Sequence, residues 1–214
     1  SGAVRLWAIV GGAAVLAASG IGPLAHAAQD LFVAHMVQHV LAMSVAALLV
    51  AFGCNTSRLW LANPIALVAA TLLQLASLVA WHLPSAISLA HHNGGVAMLM
   101  QASLFLVALL FWCTIIAGSH GQVWLTIFAL LITAKGLCLV GVVLVFSRRQ
   151  LVASHGDPQR WGLSALEDQH LAGLVMTSSC MLVYVAAAVV LFARWLADVG
   201  TQPPSRISHA AAAD

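Results

Sequence analysis

Between Arg58 and Arg148 the chain carries a single charged side chain, Lys135. A stretch so poor in charge has no way to face water along its length. A soluble domain carries about a quarter charged residues, against 7% here, with 62% hydrophobic residues and a mean hydropathy of +1.01. In hydrocarbon every backbone N–H and C=O must pair internally, so apolar runs of about 20 residues become spanning helices. The sequence therefore predicts an all-α, polytopic transmembrane bundle of about six spans, near 4–20, 31–53, 64–82, 96–117, 123–146 and 170–197. These form one domain over 1–200, with 201–214 a disordered polar tail. The first run reads as a retained span, because it lacks a clear small-residue cleavage site.

The polar residues that remain are few enough to place individually. Leu31 to Met43 opens the second span and carries His35 and His39 four residues apart. On a helix that spacing stacks both imidazoles on one face, about 6 Å apart along the axis. Met43 follows one turn later on roughly the same face. Two imidazoles and a thioether suit a soft or borderline metal, and the sulfur tilts the choice towards Cu(I). His82, in Trp81-His82-Leu83-Pro84, ends the third span at the matching depth, and Pro84 closes that helix.

An even number of spans puts both ends of the chain on one side. The loops at 21–30, 83–95 and 147–169 then share the other side, which receives eight of the ten histidines. Those eight are His26, His35, His39, His82, His91, His92, His155 and His170; His120 and His209 fall on the terminal side. Arg5, Arg58, Arg194 and Arg206 lie on the terminal side against Arg148, Arg149 and Arg160 on the histidine side. That bias favours cytoplasmic termini and an extracytoplasmic histidine face.

Glu167-Asp168-Gln169-His170 opens the sixth span. Ser164 as N-cap with Glu167 at N3 predicts a capping box. Asp168 would orient a ligating imidazole, or His170 would itself bind metal. Lys135, mid-span, is expected to face the bundle and find a carbonyl or carboxylate. Gln38 and Gln74 are expected to hydrogen-bond between helices. The pair His91-His92 reads as a polar loop. Cys54, Cys113, Cys138 and Cys180 show no C-x-x-C pair and read as small hydrophobes rather than disulfides or ligands. The acids and the lone lysine offer no nucleic-acid surface, and no nucleophile triad, phosphate loop or paired catalytic carboxylates are present.

Several segments then fall into one pattern: Phe32-Val-Ala-His35-Met-Val-Gln-His39-Val-Leu, Trp81-His82-Leu83-Pro84, Leu109-Leu-Phe-Trp112, and Leu163 to Met176 through Glu167-Asp168. In this order the chain resembles the CtaG-type cytochrome c oxidase assembly proteins, bacterial inner-membrane proteins linked to copper insertion into haem-copper oxidases. The resemblance runs from about Arg5 to Trp195. It implies His35, His39 and His82 as site residues with Asp168 nearby, and an oxidase subunit or another copper chaperone as partner. Where the family carries a further histidine-bearing element at the start of the fourth span, this chain has Ala97-Met-Leu-Met100-Gln101, which removes those ligands and leaves Met98 and Met100 as candidates to replace them.

The expectation is a copper-binding assembly factor and not an enzyme, holding Cu(I) at His35, His39, His82 and Met43, with Asp168 and His170 close by. Two other readings fit the residues. One is a b-type cytochrome, with haem held by histidines of facing helices; the other is a copper transporter whose path is lined by Lys135.

Overall fold

The computed structural model describes residues 2–54, 61–119, 121–152 and 156–200. Among these it is helical throughout, with no strand. Arg58, His120, His155, Arg206, His209 and the 201–214 tail lie outside the described residues. Six helices are long and apolar enough to cross a membrane. We label the helices α1 (Gly2–Gly20), α2 (Pro23–Asp30), α3 (Phe32–Gly53), α4 (Pro64–Trp81), α5 (Pro84–His92), α6 (Gly94–Gly118), α7 (Val123–Phe146) and α8 (Ala165–Gly200). The chain is thus a multi-pass membrane protein.

Two segments that read as loops are short helices, α2 and α5. Each starts on a proline, whose fixed φ and missing N–H suit the first helical position, and α5 carries His91 and His92 in its last turn. Three of the longer helices, α4, α6 and α8, begin where their sequences provide caps. Asn63 accepts from Ala66 N at 2.8 Å, and Asn93 from Gly95 N at 2.9 Å. At the start of α8, Ser164 and Glu167 form the capping box that their spacing predicts.

Of the six spans, α3 is the most enclosed. It packs against α1, α2, α6 and α8, while α4 lies against α6 and α7, and α7 against α8. Gln38 Nε2 donates to the Ser19 carbonyl at 2.6 Å, tying α1 to α3 as expected, whereas the amide of Gln74 is buried with no hydrogen-bond partner among the described residues. The α7–α8 contact is close because Gly141 and Gly173 face each other. A methyl group on either would run into the other's carbonyl oxygen, and small residues of this kind let membrane helices approach through their backbones. That approach brings α8 against the opening turn of α3.

Neither α3 nor α8 is a uniform α-helix. Residues Leu41–Ala46 and Met181–Val185 are π-helical turns, a local widening that often marks functional sites. The first has a visible cause. Ala47 N–H bonds Ala42 O instead of Met43 O, and the Met43 carbonyl accepts from Trp112 Nε1 at 3.0 Å. Trp112 is 1% exposed, so the indole and the released carbonyl satisfy each other in a buried setting.

Candidate metal centre

At the end of the bundle where α3 begins, His35 and His39 face each other with their Nε2 atoms 2.9 Å apart and ring centroids 4.3 Å apart. His39 Nδ1 lies 3.0 Å from Gln101 Oε1. The amide oxygen can only accept, so Nδ1 carries the proton and, in the neutral ring, His39 Nε2 presents a lone pair. His35 Nε2 then donates to it.

His82 shows the same logic in a more exposing form. Its Nδ1 lies 2.7 Å from the Leu78 carbonyl, one turn back on α4, and therefore donates. The other nitrogen, Nε2, is left with its lone pair. It is buried and has no hydrogen-bond partner among the described residues. A buried nitrogen without a partner is costly and calls for an occupant. The His82 ring centroid is 6.3 Å from that of His39.

His39 and His82 both line a cavity of about 20 Å³, enough for one water-sized occupant. Its other polarisable walls are Met36, Met43, Met176 and Cys180, with Ser44 and Tyr184 closing it from the two π-helical turns. His39, His82 and Cys180 do not close into a ready-made cage: no group of three or more His, Cys, Asp or Glu converges on a metal position among the described residues. The arrangement is two imidazoles and a set of sulfurs around a small space. On the other side of His35 a larger cavity, about 480 Å³, is lined by Gln29, His35, His91 and Met100 among others.

Of the sequence-selected residues, His35, His39, His82 and Met43 come together here. Asp168 and His170 do not join them as ligands. The Asp168 carboxylate is 2% exposed and accepts from Phe32 N at 2.7 Å and Val33 N at 2.9 Å, one oxygen for each. It caps α3, the helix that carries the histidine pair, and satisfies N–H groups that a helix start leaves unpaired. It therefore orients the imidazoles through their backbone and not by direct contact. His170 Nε2 donates to the Ser147 carbonyl at 3.0 Å and lies outside the cavity lining. Between them, Gln169 accepts from Leu151 N at 2.7 Å and donates to the carbonyls of Leu144 and Arg149, each at 3.3 Å. Three consecutive side chains thus fasten three backbone segments.

Met98 is 75% exposed on the outer surface and is no replacement ligand, whereas Met100 is buried beside His35. Lys135 is exposed, not turned into the bundle. Cys180, read from its apolar surroundings as a small hydrophobe, is a cavity wall. Met36 and Met176 had only their softness to recommend them; helix packing supplies the rest. Gln101 carried no signal beyond an amide in an apolar span.

Compared with known proteins, residues 2–198 match the family model described as cytochrome c oxidase caa3 assembly factor. No curated protein and no solved structure matches the chain.

Proposed function

Since the chain belongs to the cytochrome c oxidase caa3 assembly factor family, we propose that it assists oxidase maturation by carrying copper. The cargo is Cu(I), held in the small cavity by His39 and His82 with Met43, Met36, Met176 and Cys180 as the soft donors, and His35 at its mouth. The observation that carries this reading is the buried, unpartnered Nε2 of His82, a residue of a cavity that four sulfur side chains also line. Neutral imidazole and thioether favour Cu(I) over harder ions, and the cavity is the size of one ion rather than of an organic substrate.

An open, incompletely closed donor set suits a carrier. Cargo passes by ligand exchange, each protein donor giving way to one from the client, with no change in oxidation state and no bond made in a substrate. The protein is accordingly a carrier and not an enzyme. The client is a haem-copper oxidase subunit or a further copper chaperone. The histidine end faces out of the cytoplasm of a bacterial inner membrane, the side that the arginine distribution favours.

The test is an absorption spectrum and metal analysis of the detergent-purified protein, followed by Cu(I) titration in competition with a chromogenic chelator. His82→Leu is expected to weaken Cu(I) by at least about a hundredfold, the upper end of what loss of an outer partner costs a metal site. Its stability should hold or rise, since a buried orphan nitrogen is removed. An unchanged affinity would sink the reading. A Soret band with stoichiometric iron would replace it with a b-type cytochrome.

A further inference from the structure

Lys135 stands near the midpoint of the 24-residue α7, about 17 Å of helix from either end. It is exposed and makes no hydrogen bond or ion pair among the described residues. Its neighbours on the same stripe are Phe128, Leu131, Leu139 and Val142, all exposed, as a lipid-facing helix surface should be. A four-carbon stem is far too short to carry the ammonium from this depth to the headgroups. A charge so placed needs an opposite charge at the same depth.

The described residues do not supply one. The chain's six acids are Asp30, Asp157, Glu167, Asp168, Asp198 and Asp214. The first four gather at the histidine end, Asp198 is in the final turns of α8, and Asp214 lies beyond residue 200. Among the described residues, neither this chain nor a second copy at the same height in the bilayer brings a carboxylate to Lys135. Beside the lysine there is also a seat. Phe128 and Ile132, roughly two turns and one turn before it, join Leu72 and Leu75 of α4 in lining an apolar groove of about 170 Å³.

We propose that this face of α7 docks a spanning helix of a different membrane protein, one that carries an aspartate or glutamate at mid-bilayer depth. The helix packs in the α4–α7 groove and its carboxylate pairs with Lys135. The proposal is independent of the copper reading, because Lys135 is exposed and is not part of the cavity lining, to which α7 contributes Leu137 from its buried side.

The test uses donor-labelled protein in phosphatidylcholine vesicles at neutral pH. The probes are two acceptor-labelled, leucine-rich spanning peptides, identical except for a central glutamate or glutamine. Energy transfer should show the glutamate peptide binding about tenfold more tightly than its glutamine twin. Lys135→Met should erase that difference while Lys135→Arg keeps it, with helix content and Cu(I) affinity matching the parent protein in both variants. Equal binding of the two peptides, or a glutamate preference that survives Lys135→Met, overturns the proposal. So does energy transfer between two labelled copies of the chain that disappears in Lys135→Met, since that would assign the face to self-association.

Discussion

Two segments of this chain looked alike as sequence: Leu31 to Met43, with its histidine pair, and Ser164 to His170, with two acids, a glutamine and a histidine. They sit on packed helices at the same end of the bundle. Their polar atoms are used in opposite ways. Around Asp168, Gln169 and His170 the side chains are committed to backbone groups of other segments. Around His39 and His82 one nitrogen of each ring is fixed by an acceptor. The other meets His35 Nε2 in His39 and has no hydrogen-bond partner among the described residues in His82, and both rings line the same partly sulfur-lined space. Residue type alone does not separate a ligand from a clamp. What separates them is whether a lone pair is left over once the nearby N–H and C=O groups are satisfied.

That contrast is most sharply tested at Asp168. Asp168→Ala removes two charge-assisted hydrogen bonds from a buried helix start and leaves Phe32 N and Val33 N without their acceptor. Bonds to a charged group contribute about 1.5–3 kcal/mol each, so a loss on the order of 3 kcal/mol is expected in denaturant unfolding of the detergent-solubilised protein. Cu(I) affinity should fall alongside, because the first turn of α3 holds His35. Asp168→Asn, retaining one acceptor oxygen, should lie between. Full stability with copper binding abolished would make Asp168 a ligand after all, and the contrast would fail.

Gln101 probes the other segment. It comes from α6 and fixes the His39 tautomer through Nδ1. Gln101→Leu should cost about tenfold in Cu(I) affinity, at the low end for outer partners of ligating histidines. Unfolding should shift by no more than about 1 kcal/mol, the net value of one neutral hydrogen bond. Gln101→Glu, which retains an acceptor there, should restore most of the binding. If Gln101→Leu bound copper as well as the parent, the hydrogen bond would not be setting the ligand's orientation.

The spans were legible because hydrocarbon leaves the backbone only one way to satisfy itself, and the capping box at Ser164 because it depends on four adjacent residues. His35 and His39 were legible for the same reason: a single turn of helix places them together. The cavity was not. Met36, Met43, Met176 and Cys180 lie on two helices, α3 and α8, and are joined to His82 of α4 only by packing. The π-helical turn that helps present Met43 depends on Trp112, on a fourth helix, α6. The prolines that start α2 and α5 were visible, but the segments are too short for periodicity to tell helix from loop. Lys135 was misread by a sound rule: an intramembrane charge normally turns inward. Here the inner positions of α7 are taken by residues such as Leu130, Thr133, Ala134 and Leu137, and the lysine falls on the opposite side.

The smallest effect should come from His170, and it marks the edge of the site. Its Nε2 makes one neutral hydrogen bond, to Ser147 O, in a half-buried position. The segment it holds is also fastened by Gln169 at Leu144, Arg149 and Leu151, so removing one of several ties leaves the others in place. His170→Ala should therefore cost no more than about 1 kcal/mol, and Cu(I) affinity should match that of the parent within measurement. Because His170 is a histidine at the same end of the bundle as His35 and His39, a simple count of imidazoles would assign it a share of the proposed metal. The backbone carbonyl in front of it argues otherwise: a ring nitrogen that donates there has no lone pair to offer at that atom. A tenfold loss of copper with stability unchanged would show that this nitrogen leaves Ser147 when metal arrives. The boundary between ligand and clamp would then have to be drawn on the far side of α8.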